Sequence, residues 1–155
     1  MKDNVKFLLA DLYCSLFKVG YIKYMPGTFG SFIGLIIGIL IKTYLSIWIY
    51  IFFTLIIIFL GIIAIKFYQT KNGKEDRSEI IVDEVIGQQI PIIIFDLSIT
   101  NIVLGFLLFR FFDIVKIYPA NYIDKNYTGS FGIIADDIVA GLQASLIIYF
   151  IILLL

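Results

Sequence analysis

Five carboxylates stand inside runs that are otherwise almost wholly apolar. Asp83 and Glu84 lie in S-E-I-I-V-D-E-V-I-G-Q (78–88), Asp113 in F-R-F-F-D-I-V-K (109–116), and Asp136 with Asp137 in G-I-I-A-D-D-I-V (132–139). An unpartnered carboxylate in apolar surroundings is expensive, so acids placed this regularly need compensation. Each has a plain structural reading. Asp136 can be a helix N-cap, Arg110, Asp113 and Lys116 can be an ion-pair ladder at a membrane border, and Glu79 and Asp83 can face water. Taken together on one face, they point to a site, because acids in or beside a membrane usually serve function.

Carboxylate oxygens without imidazole or thiolate suit a hard cation, Mg²⁺ or Mn²⁺, rather than zinc or copper. Arg110 and Lys116 flank Asp113 at i,i+3 spacing, and a cation held by acids beside basic groups is the equipment of phosphoryl chemistry. The segment P-G-T-F-G-S (26–31) reads as a loop. Gly27, Thr28, Gly30 and Ser31 could offer backbone N–H groups and hydroxyls to a phosphate there. It lacks the Gly-Lys-Ser/Thr ending of a P-loop.

Composition narrows the chemistry further. The chain has no histidine, which removes imidazole acid–base catalysis, phosphohistidine chemistry and most zinc sites. A single cysteine, Cys14, permits no internal disulfide and reads as a small buried hydrophobe. Twelve basic residues balance twelve acidic ones, which argues against a nucleic-acid partner. Of the 155 residues, 61% are hydrophobic and 15% charged. Soluble domains sit near 45–50% and about 25%, so the chain is an integral membrane protein. The length suits one domain over residues 1–155. The basic N-terminus is interrupted by Asp11 and Lys18 and reads as no cleaved signal peptide.

The elements that must position the acids are helices, giving an all-α membrane bundle. Residues 4–18 read as a short amphipathic helix with Phe7, Leu8, Leu12 and Leu16 near one face, suited to the membrane interface. A turn-forming segment occupies 19–31. The apolar run 32–41 carries Gly34 and Gly38 at GxxxG spacing, read as a packing pair. Residues 43–65 are uncharged and form the clearest span, with Trp48 and Tyr50 suited to an interfacial belt. A polar loop covers 67–77, where Asp76-x-x-Glu79 has the form of a capping box. That box would open a helix on which Glu79 and Asp83 share a face. A second polar loop covers 118–130, and 138–155 makes a final apolar helix after Asp136-Asp137 has opened it.

The decisive stretch is 88–109. As one full span it would set Asp83-Glu84 and Arg110-Asp113 on opposite membrane faces. Pro91 and the polar Asp96, Ser98, Thr100 and Asn101 favour a break near 96–101. Each arm is then about 10 residues, roughly 15 Å of helix, too short for the ~30 Å core. The result is a re-entrant hairpin with all three acidic clusters on one face. Lys18, Lys23, Lys66, Lys71, Lys74, Arg77, Arg110 and Lys116 would share that face and only Lys42 lie opposite. The positive-inside rule places the crowded face in the cytoplasm.

Four segments, M-P-G-T-F-G-S (25–31), I-V-D-E-V-I-G-Q (81–88), F-R-F-F-D-I-V-K (109–116) and G-I-I-A-D-D-I-V-A-G (132–141), resemble in order and spacing the signature blocks of phosphatidylglycerophosphatase A. The resemblance covers most of the chain from about Val19. It implies a mostly helical, Mg²⁺-dependent lipid phosphatase of the bacterial inner membrane. Its substrate would be phosphatidylglycerophosphate in the bilayer, converted to phosphatidylglycerol. The acids carry over as Asp83, Glu84, Asp113, Asp136 and Asp137, the expected metal ligands and catalytic groups. Gly27, Thr28, Gly30, Ser31, Arg110 and Lys116 are the expected phosphate-binding groups. The chain departs from the family where Ile117-Tyr118 follows Lys116 and where Ile134-Ala135 precedes the acidic pair. Attack by water and attack by an aspartate both remain open. The patterns of CDP-alcohol phosphatidyltransferases and of D-x-D phosphatases are absent. The non-enzyme alternative is a small ion- or proton-coupled transporter, which would string Asp96 and the clusters across the membrane depth.

Overall fold

In the computed structural model, which describes residues 2–72 and 77–154, the break expected near 96–101 is present. Helix α4 (Val82–Ile94) ends at Phe95, whose backbone turns extended, and α5 (Ile99–Val115) starts after Ser98. The Ser98 hydroxyl caps α5 by accepting from the Asn101 N–H at 3.2 Å. The Asn101 amide in turn donates to the Asp96 carboxylate. The Lys42 ammonium crosses from the neighbouring helix to donate to the carbonyls of Ile92 at 2.7 Å and Ile93 at 3.2 Å, and to Phe95. These are carbonyls that a helix end leaves without partners. Pro91 does not make the break: it lies inside α4, packed against Gly105 of the returning arm. At 1.5 Å per residue the 13-residue and 17-residue arms run about 20 and 26 Å, both short of the ~30 Å core.

Around the hairpin stand α1 (Lys2–Cys14), α2 (Pro26–Tyr44), α3 (Ile47–Asn72), the short α6 (Ala120–Asn126) and α7 (Ser130–Leu154), with one 3-10 turn at Val19–Tyr21. The described residues contain no strand. Helices α2, α3 and α7 are long and apolar enough to cross a membrane. Helix α2 turns Gly27, Gly30, Gly34 and Gly38 toward α4 and α3, so backbones meet closely. A Cβ on Gly34 would lie 2.9 Å from the Val85 Cα. The GxxxG pair is thus a packing device.

Several local expectations change. P-G-T-F-G-S is the opening of α2, with Pro26 in the first turn, where its missing N–H costs nothing. Helix α3 extends through Asn72 into the expected polar loop, and Asp76 of the capping box falls outside the described residues. Because α4 begins only at Val82, Glu79 precedes it and shares no helical face with Asp83. Asp136 is no N-cap: α7 begins at Ser130, so both acids sit in its second turn. Helix α6 occupies part of the second polar loop. Trp48 is exposed as a belt residue should be, but Tyr50 is buried and donates to Gln89 Oε1 at 2.7 Å. Helix α1 ends at Cys14 and buries Ala10 and Cys14, while Leu8 is exposed and Leu16 lies beyond the helix in a left-handed turn. Its Phe7 ring stacks on Tyr68 of α3 at 5.8 Å.

Candidate active site

The hairpin brings the two ends of the expected site together. Asp83 and Glu84 stand in the first turn of α4, where a helix N-terminus favours negative charge. That end is clasped by the N-terminal segment. Ile81 N–H donates to the Cys14 carbonyl at 2.9 Å, and a Cβ on Gly20 would lie 2.1 Å from the Glu79 carbonyl oxygen. Asp137 arrives from α7. Carboxylate oxygens of Asp83, Glu84 and Asp137 all lie within 4.8 Å of one another.

Around this trio the basic residues divide the remaining acids. Arg110 Nη1 pairs with Asp113, reaches Glu84 Oε1 at 3.8 Å and donates to Ser31 Oγ at 3.3 Å. Ser31 is buried and its hydroxyl donates a hydrogen bond to the Gly27 carbonyl at 2.9 Å. Lys116 pairs with Asp136 and with Asp124, the latter at 2.9 Å. Of the five expected acids, Asp83, Glu84 and Asp137 therefore cluster, and Asp113 and Asp136 are held by Arg110 and Lys116. Burial raises the Glu84 carboxyl above its ordinary range; Asp83 and Arg110 oppose that shift and Asp113 adds to it. Burial works against the Lys116 ammonium, but its hydrogen bonds to Asp124 and Asp136 outweigh this and hold its pKa above the ordinary value.

Among the expected phosphate-binding residues, Gly27 and Ser31 border Glu84 and Arg110, and Thr28 is half-buried beside them on the same helix turn. Gly30 instead packs against Ile81, where a Cβ would lie 2.8 Å from the carbonyl oxygen. Burial pushes the Cys14 thiol up to about 12, in keeping with an inert core residue. Asp96 sits at the hairpin tip, the length of α4 away from Asp83. Among the described residues, then, the acids gather at one end and form no depth-spanning chain of the kind a transporter would use.

Two residues had no role in the sequence reading. Asp124 holds Lys116 from α6, and its position within a polar loop gave no periodic signal. Gln88 is fully buried one helical turn below Glu84, with neither amide atom hydrogen-bonded among the described residues. An amide in an apolar helix was the signal available for it.

The cluster could hold a metal ion. Glu84 Oε2 and Asp137 Oδ2 are buried without a hydrogen-bond partner among the described residues. Carboxyl oxygens gathered without imidazole or thiolate are donors of the kind that hard cations take.

The family model described as phosphatidylglycerophosphatase A matches residues 12–152. The phosphatidylglycerophosphatase A of Haemophilus influenzae is 35% identical over 134 residues, covering 86% of this chain and 82% of that protein. The Escherichia coli protein of the same name is 32% identical over 136 residues, 87% of this chain and 78% of its own. A Bacteroides thetaiotaomicron protein, 31% identical over 139 residues (85% and 86%), carries the name "Putative phosphatidylinositol-3-phosphatase". No solved structure matches the chain. With its hairpin, its acidic cluster and a match running nearly end to end, this chain belongs to the phosphatidylglycerophosphatase A family.

Proposed function

We propose that this protein removes the terminal phosphate of phosphatidylglycerophosphate within the bilayer, using a divalent cation, Mg²⁺, held by Asp83, Glu84 and Asp137. The observation that carries the reading is the trio of carboxylates with two open buried oxygens, set beside Arg110 and Ser31. Bound there, Mg²⁺ supplies charge neutralisation and polarisation of the phosphoryl group. The chain's own groups do the rest. Arg110 and Ser31 bind phosphate oxygens and orient the ester, with Gly27 leaving room for them. Asp113 fixes Arg110, and Asp124 and Asp136 hold Lys116 charged at the rim. A carboxylate of the trio takes the proton of the attacking water, or an aspartate of the cluster attacks directly. Acid quenching of a radiolabelled turnover separates these, since only direct attack leaves label on the protein.

The site faces the cytoplasm of a bacterial inner membrane in this reading. The starts of α2, α4 and α7 and the ends of α3 and α5 share one face with Lys18, Lys23, Lys66, Lys71, Arg77, Arg110 and Lys116. Lys42 caps the hairpin on the other. The chain works as one domain, since the site draws on α2, α4, α5 and α7. Phosphate release by purified protein, with and without Mg²⁺, tests the proposal. Phosphatidylglycerophosphate should be cleaved only with the cation and faster than phosphatidylinositol-3-phosphate or phosphatidic acid. Equal release from all three lipids, or release in chelator, refutes it.

A further inference from the structure

The phosphatase reading leaves open how a lipid whose tails stay in the bilayer brings its headgroup to buried carboxylates. Several elements border the cluster. Helix α7 supplies Asp137, the segment before α4 is clasped by α1, and α6 ties Lys116 through Asp124. Helices α2 and α5 meet beside it in a seam. Across it run the hydrogen bond from Arg110 to Ser31 at 3.3 Å and, next to it, the edge-to-face pair of Phe32 and Phe106 with centroids 6.3 Å apart.

The seam has the composition of a lipid path. Along α2, Phe29, Phe32, Ile36 and Leu40 recur every three or four residues and are exposed, so they form one stripe running away from the site. On α5, Val103 and Leu107 are exposed on either side of Phe106 along the same stretch. At the head of this apolar stripe sits Arg110, whose Nε is buried with no hydrogen-bond partner among the described residues. A spare guanidinium donor at the end of an exposed apolar stripe complements one class of ligand, an anionic headgroup on acyl chains.

We propose that the α2–α5 seam is the lateral port of the enzyme, seating a diacyl phosphomonoester lipid. Its headgroup passes Arg110 and Ser31 to the carboxylates, and its tails lie along Phe32, Ile36, Val103 and Phe106. The inference rests on the phosphatase reading. It adds that the bilayer substrate needs this seam, whereas a short-chain version dissolved in water does not.

The test uses full-length protein carrying Phe32→Cys, labelled after purification with a bulky maleimide; the native Cys14 is buried and stays unlabelled. Phosphate release is measured from long-chain phosphatidylglycerophosphate in vesicles and from its soluble dihexanoyl counterpart. The ratio of long-chain to short-chain rate should fall at least tenfold on labelling. The same label on Leu142→Cys, an exposed position on α7, should leave the ratio unchanged. Val103→Trp, which adds bulk at the seam without a reagent, should lower the ratio as well. An active protein whose ratio does not move overturns the port alone. Unlabelled protein that releases phosphate from neither lipid overturns the phosphatase reading and the port with it.

Discussion

Gly27→Ala probes the site with a single methyl group. A Cβ at this position would stand 2.0 Å from Glu84 Oε1 and 3.2 Å from Arg110 Nη1. Ordinary contact begins near 3.4 Å, so the carboxylate oxygen must retreat by about 1.4 Å. Both neighbours are ends of side chains, so the backbone can stay in place. In the first turn of α2 alanine is also the better helix former, by up to ~1 kcal/mol. The fold should survive with an unchanged or slightly higher melting temperature. The cluster should not: a displacement of about 1 Å in a catalytic group costs on the order of 100-fold, about 2.7 kcal/mol of transition-state stabilisation. The assay pairs phosphate release at saturating lipid with thermal unfolding in detergent. Activity within twofold of the parent would refute the placing of Glu84 in the site. A collapse of stability would refute the claim that only side-chain ends border Gly27.

Three further outcomes follow from the same structure. Lys116→Met removes the ammonium from buried Asp136, and breaking such a pair costs roughly 3 kcal/mol. Chemical denaturation should register the loss. The raised Lys116 pKa fixes the sign with pH: the contribution is complete below the ordinary lysine value of about 10.4 and fades only as pH climbs through the higher folded value. Phe17 is 82% exposed with φ at 54°, in a run of three left-handed residues with Leu16 and Lys18. Phe17→Gly should relieve about 1–2 kcal/mol, offset by roughly 0.5–1 kcal/mol of chain entropy, and so raise the melting temperature slightly, whereas Phe17→Val lowers it. Cys14, fully buried with its thiol pushed up to about 12, should resist maleimide at pH near 8 until the protein unfolds. Rapid labelling of native protein would contradict its burial.

The sequence disclosed most about what costs energy in lipid. The uncharged run at 43–65 had to be a span, and polar residues at 96–101 inside an apolar stretch had to mark a break. That break put Asp83 and Asp137 in one place, and the four signature blocks gave the family. Local detail was harder to read. P-G-T-F-G-S has the composition of a loop, yet its glycines serve packing against α4, so it coils from Pro26 onward. Tyr50 looks like a belt residue until Gln89, 39 positions on, supplies its partner. The division of the acids, three clustered and two held by Arg110 and Lys116, depends on Asp124 from α6 and on helix rotation. Neither has a signature in spacing.

The central claim is that Asp83, Glu84 and Asp137 act together on a divalent cation to hydrolyse a lipid phosphate. A Mg²⁺ titration of phosphate release from phosphatidylglycerophosphate, run on the parent and on Asp137→Asn, tests it most directly. Release should depend saturably on Mg²⁺ in the parent and, in the variant, either vanish or shift to much higher Mg²⁺. Release that persists in chelator, or an Asp137→Asn titration that overlays the parent's, would contradict it.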